Sequence, residues 1–264
     1  MNEIKKTFQD KNSDKDSLLI PYISAGDPDL ETTKKILFEL DKNGADIIEL
    51  GIPFSDPLAD GPVIQKAGQR ALEGGVSLKK IINMAGEVAA EITSPLLLMG
   101  YYNNILKYGK ERFINDIDSA GIKGVIIPDL PYEEDTTFYL QLKEKNLAGI
   151  LLAAPNTSAQ RLKYLGQKST GFLYCVSLLG VTGDKKGPYS QLEKYIKLVR
   201  QQTNIPLGLG FGIDGPEKAR RVSKFVDGII IGSAFINIIA SHQQQPQQML
   251  KQVASFTKSI SRVL

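Results

Sequence analysis

The sequence predicts an α/β fold, a single closed (β/α)8 TIM barrel spanning residues 1–264, and three observations carry that prediction. Eight short apolar runs rich in β-branched residues recur along the chain, and each is followed by a segment whose apolar residues repeat with the helical period. No linker and no shift of composition divides the chain, so nothing marks the boundary that an open sheet with a second domain needs. The length, 264 residues, is what one such barrel uses.

In chain order the expected strands are 18–23, 46–50, 95–99, 124–127, 147–153, 171–176, 206–209 and 227–231. Helical spacing is clearest in Ile36, Leu37 and Leu40 after the first strand, and in Leu192, Tyr195, Ile196 and Val199 after the sixth. Two further helices stand outside the eightfold alternation. Residues 1–11 suit an N-terminal helix closing the barrel floor, and residues 78–92 a second helix between strands two and three; packing is the expected role of both. Pro246 follows a run of glutamines and is placed to begin the last helix.

Composition narrows the chemistry. Hydrophobic residues at 42% and charged residues at 23% give an ordinary globular core. The 32 basic and 29 acidic residues are scattered without a basic block, which excludes nucleic acid as the expected partner. Cys175, the single cysteine, lies in an apolar run and reads as a small buried side chain. His242, the single histidine, stands beside glutamines, so neither a metal site nor a Ser-His-Asp triad is expected. No apolar run has the length of a membrane span and no targeting composition opens the chain. The expected setting is the cytoplasm, or a plastid stroma if the chain is organelle-encoded.

In such a barrel the reactive groups sit at the carboxyl ends of the strands. Strand two places Glu49 inside an apolar run before Gly51, where a carboxylate needs either a partner such as arginine or a raised pKa put to use. The Pro- and Asp-rich loop that follows holds Asp56 and Asp60. Asp56 before Pro57 suits a turn. Asp60 before Gly61-Pro62 suits either a helix start or a second reactive carboxyl. Two carboxyls whose environments separate their pKa values are a recurring acid/base solution where histidine is absent, and Glu49 with Asp60 is the candidate pair.

Strand seven runs into Gly210-Phe211-Gly212-Ile213 and strand eight into Gly232-Ser233-Ala234, each ahead of a helix, the pattern of a barrel phosphate site. After strand six, Gly180-Val181-Thr182-Gly183 opens a loop suited to closing over a ligand, or to serving as a plain connection. Residues 210–215 also match the dinucleotide fingerprint GxGxxG, but at the seventh strand and without the acid expected about 20 residues on, so a nicotinamide cofactor is not expected.

The stretch from Ile48 to Pro62 closely resembles the signature of the tryptophan synthase α chain family. The likeness continues through Gly26-Asp27-Pro28, Leu98-Met99-Gly100-Tyr101-Tyr102-Asn103, Pro128-Asp129-Leu130-Pro131 and the glycine motifs above, in the family's order and over nearly the whole chain. The resemblance implies reverse-aldol cleavage of indole-3-glycerol phosphate to indole and glyceraldehyde 3-phosphate. It assigns both proton transfers to Glu49 and sets Asp60 against the indole N–H. It gives the phosphate to Gly183, Gly212, Gly232 and Ser233, and the pocket walls to Tyr22, Ile64, Tyr101, Tyr174, Thr182 and Phe211, where core packing is the competing role for each. No cofactor and no metal are implied in this chain. A pyridoxal-phosphate β subunit is the implied partner, in an α2β2 assembly, with Pro53, Asp56, Pro57 and Pro131 at the contact. One departure is Asp184-Lys185-Lys186 after Gly183, where the family commonly has arginine; lysine lacks the planar fork.

Two rival readings remain in view: an indole-glycerol phosphate synthase-like barrel, which needs a catalytic lysine that no strand end supplies, and a catalytically idle regulatory barrel that binds the same phosphate, against which both carboxyls argue.

Overall fold

A computed structural model describes residues 1–10, 17–176, 188–210 and 212–264. Eight parallel strands close into a barrel in chain order: β1 Leu18–Ser24, β2 Ile48–Gly51, β3 Leu96–Met99, β4 Gly124–Ile126, β5 Ala148–Ala153, β6 Leu173–Val176, β7 Leu207–Gly210 and β8 Gly228–Ile231. Closure is made by β1 against β8, with Leu18 paired to Gly228 and Pro21 to Ile231. All eight expected strands are present, with ends moved by one or two residues.

Twelve helices are present among the described residues. The floor helix is α1 Glu3–Gln9, and the connections are α2 Leu30–Lys42, α3 Pro62–Glu73, α4 Leu78–Ala89, α5 Tyr102–Tyr108, α6 Lys110–Ser119 and α7 Thr136–Glu144. They continue with α8 Ala159–Lys168, α9 Pro188–Gln202, α10 Pro216–Ser223, α11 Ser233–Ser241 and α12 Pro246–Ser261. Splitting the β3 connection into α5 and α6 was not expected. Gly109, at φ 97°, turns the chain between them in a conformation that favours glycine. None of the helices among the described residues is long and apolar enough to cross a membrane.

Strand alternation builds two cores. Inward residues Leu18, Ile20, Ile47, Leu97, Ile126, Ile150, Phe172, Tyr174 and Ile230 fill the barrel, while Leu19, Ile48, Leu50, Leu98, Val125 and Ile229 pack outward on the helices. Both strand faces are buried, which is why the strands read as continuous apolar runs rather than alternating ones. Ile4 and Phe8 of α1 enter the inner core from below, and the Phe8 and Phe172 rings lie 5.5 Å apart, so α1 closes the floor.

A buried ion pair seats α3 on the end of β1. Arg70 of α3 donates from Nε to Oδ1 of Asp27 at 2.8 Å and from Nη2 to Oδ2 at 2.7 Å, and the Asp27 side chain is wholly buried. Two parallel charge-assisted bonds fix direction as well as distance. Arg70→Ala leaves Asp27 buried without its partner, and we expect a loss of about 3 kcal/mol in denaturant unfolding; a loss below about 0.5 kcal/mol, the level of an ordinary surface change, would contradict this role.

Candidate active site

Glu49 lies at the middle of β2 with the same inward parity as Ile47, flanked across the sheet by Tyr22 on β1 and Leu97 on β3. It is fully buried, and neither carboxyl oxygen has a hydrogen-bond partner among the described residues. The alternative of a structural ion pair therefore finds no partner there. Burial alone pushes its pKa well above the usual carboxylate range.

Tyr22 and Tyr174 frame the same space. Both are buried, and burial is the first cause that raises each phenol's pKa. The charges of Asp60 and Glu49 then raise both further, which places the two carboxyls within electrostatic range of the same pair of hydroxyls. The Tyr22 ring fits because Gly51 lies beneath it: a Cβ at Gly51 would fall 2.2 Å from the Tyr22 hydroxyl.

Asp60 stands in the loop between β2 and α3, half-buried. The N-cap of α3 is Gly61, and the Asp60 carboxyl meets the Tyr101 hydroxyl rather than a backbone N–H of the helix start. The capping role weighed for Asp60 thus falls away. Burial raises its pKa to about 6, and the Tyr101 hydroxyl beside it restrains that rise. Tyr101 also accepts the Ala59 N–H at 2.9 Å and stacks on Phe54 with ring centroids 5.1 Å apart, so it holds the loop as well as lining the site. Ile64 of α3 packs with Tyr22, Ala67, Ile236 and Met99 above the inner core.

Gly212 and Gly232 follow the neighbouring strands β7 and β8, and β8 adjoins β1, so that a Cβ at Gly232 would fall 3.2 Å from the Tyr22 ring. Gly212 adopts φ 59°, with open space where a Cβ would stand. Gly232 is the N-cap of α11 and Ser233, its first residue, is exposed; the first N–H groups of α11 lack intrahelical partners, as at any helix start. Thr182, Gly183, Phe211, Lys185 and Lys186 lie outside the described residues.

Of the rim residues, Asp56 is exposed and bonded to Ser55, Pro131 is exposed, and Pro53 and Pro57 are half-buried. Met99 was missed by sequence reading. It is the last inward residue of β3 and touches both the inner core and the Tyr22 cluster; its position two residues after Leu97 was the available signal. Among the described residues no group of three or more His, Cys, Asp or Glu side chains is placed to hold a metal ion.

A family model described as tryptophan synthase alpha chain matches residues 8–263. The tryptophan synthase alpha chain of Petrotoga mobilis is 54% identical over 260 residues, covering 98% of this chain and 99% of that one. That of Caldanaerobacter subterraneus subsp. tengcongensis is 44% identical over 264 residues, covering 100% of both. The crystal structure of tryptophan synthase subunit alpha from Legionella pneumophila superposes with a TM-score of 0.92 at 38% identity, covering 100% of this chain and 98% of that one.

The position of Glu49 has a stability cost with a defined sign. Because its folded pKa is raised, the folded chain holds a proton that the unfolded chain releases, so stability falls as pH rises from the ordinary carboxylate pKa toward the folded one. Glu49→Gln should therefore melt at higher temperature than the parent chain at pH 8, with the gap closing as pH approaches 4.5, the ordinary value. A gap independent of pH would contradict a raised pKa.

Proposed function

The chain belongs to the tryptophan synthase alpha chain family, and from that premise we propose that Glu49 and Asp60 divide the acid/base work of its reaction. The reaction is the lyase step of tryptophan biosynthesis in which indole-3-glycerol phosphate is cleaved to indole and glyceraldehyde 3-phosphate. It needs no cofactor in this chain.

The observation that carries the proposal is the buried Glu49 carboxyl, unpartnered among the described residues, whose burial favours the protonated form. That is the state an acid needs at the start. Glu49 gives its proton to C3 of the indole ring, leaving a positive charge centred on N1–H. Asp60, with a pKa of about 6, is ionised at neutral pH and stabilises that charge. The carboxylate left on Glu49 takes the proton of the adjacent side-chain hydroxyl. The C3 to side-chain bond then breaks, its electron pair returns to the ring, and the hydroxyl carbon becomes the aldehyde. Glu49 ends protonated again, so one carboxyl serves both transfers. Dry walls of Tyr22, Ile64, Tyr101 and Tyr174 keep the two pKa values apart and, with Thr182 and Phe211, complete the proposed pocket.

The phosphate is assigned to the backbone of Gly183, Gly212 and Gly232 and the hydroxyl of Ser233. Support comes from the free first turn of α11 and the open backbone at Gly212. The whole chain, 1–264, is assigned to one domain.

A β subunit is the partner of this family. We assign its contact to Pro53, Asp56, Pro57 and Pro131 in an α2β2 assembly, with pyridoxal phosphate held by the β subunit. Leu58, 96% exposed in the same loop, supports a rim that another surface covers. The 54% identity to the Petrotoga mobilis chain supports a cytoplasmic rather than a plastid setting.

Three outcomes follow. Glu49→Gln should lower indole release by the purified chain by about 1,000-fold while substrate affinity stays within about threefold; near-normal turnover would sink the assignment. The kcat/KM profile should rise with pH through about 6 as Asp60 ionises and fall where Glu49 loses its proton, and Asp60→Asn should remove the acid limb. Leu58→Asp should weaken association with the β subunit by about tenfold or more in calorimetric titration, and unchanged affinity would rule out this rim.

A further inference from the structure

We propose that Gln65 is a positioning residue of the acid/base site, its side-chain amide holding the backbone of Asp60 and so setting where that carboxyl stands. The inference rests on the reading of Asp60 given above.

Gln65 lies in the first turn of α3, directly after the loop. Its Nε2 donates to the Asp60 carbonyl at 2.9 Å and reaches the Pro57 carbonyl at 3.4 Å. Both partners are acceptors only, so the NH2 end of the amide must face them and the orientation is fixed by chemistry. Elsewhere the loop is fastened by Ile52 N–H to the Met99 carbonyl at 2.7 Å, by Asn104 Nδ2 to the Pro53 carbonyl at 3.2 Å, and by Ala59 N–H to Tyr101 at 2.9 Å. Each of those bonds ends before Asp60.

Around Asp60 the backbone N–H donates to the Pro57 carbonyl at 3.1 Å and the Gly61 carbonyl accepts the Gln65 N–H at 3.0 Å, but among the described residues the Asp60 carbonyl itself is held by the Gln65 amide. Gly61 caps α3 with no side-chain bond and has no atom within 4 Å of where a Cβ would stand. Loss of the Gln65 amide releases the Asp60 carbonyl, and the backbone that carries the carboxyl is then less closely fixed. A displacement of about 1 Å at a reacting group can cost about 100-fold in rate. Gln65 is itself exposed and its work is local, so the effect belongs in kcat rather than in folding.

The test uses the purified full-length chain, without and with the β subunit, and indole-3-glycerol phosphate as substrate. Gln65→Met removes the donor at nearly the same length and should lower kcat by about tenfold with KM within about twofold. Gln65→Lys, which restores a donor at that reach, should recover most of the loss. Three results would overturn the proposal: unchanged kcat in Gln65→Met, an equal loss in Gln65→Lys, or a loss seen only with the β subunit bound, which would make Gln65 a partner contact. Asp60→Asn is measured alongside. Wild-type turnover in that variant defeats the reading of Asp60 and the inference with it, whereas a slowed Asp60→Asn beside a normal Gln65→Met defeats the inference alone.

Discussion

A carboxyl group buried in the wall of a barrel with no hydrogen-bond partner among the described residues is the constraint on which the upper half of this structure depends. An ionised carboxylate there would be buried with no counter-charge beside it among the described residues, so burial favours the protonated form. What packs around Glu49 serves that condition: Tyr22 on β1, Leu97 on β3, the buried Tyr174 ring, and the α3 and α11 side chains that pack on Tyr22. Had an arginine been placed beside it, the carboxyl would be ionised and lost as an acid.

The second carboxyl is governed by the opposite requirement. Asp60 sits in a loop with partial access to water, and its pKa rises only to about 6. The difference between the two sites is one of placement: a strand interior for one, a tethered loop for the other. That loop is held by side chains from α3 and from the end of β3, and α3 is in turn locked to β1 by the Arg70–Asp27 pair. Barrel architecture thus reaches the chemistry through a short chain of fastenings, each of which can be cut separately.

Much of this was legible in the sequence because it is local. Eight apolar runs gave eight strands, amphipathic spacing in α2 and α9 gave the helix-facing core, and the apolar Ile4 and Phe8 close the floor. Glu49 stood out as an acid in an apolar run, and the glycines after β7 and β8 stood out ahead of the helix starts of α10 and α11. What escaped notice depends on contacts between distant segments. The pairing of Asp27 with Arg70 joins residues 43 apart, and the bond from Ala59 to Tyr101 joins residues 42 apart; neither has a sequence pattern. The contact of the Asp60 carboxyl with the Tyr101 hydroxyl, rather than with the first N–H groups of α3, is another such pairing. Gly109, dividing α5 from α6, reads in sequence as one glycine among many until its positive φ is seen.

The central claim is the protonation state of Glu49 in the folded, ligand-free chain. Carbon-13 labelling of glutamate side chains, with Glu49→Gln to assign the resonance, allows its carboxyl to be titrated directly by NMR. The account predicts a protonated Glu49 at neutral pH, titrating far above the surface glutamates. A Glu49 resonance already ionised at neutral pH and titrating with the others would contradict it.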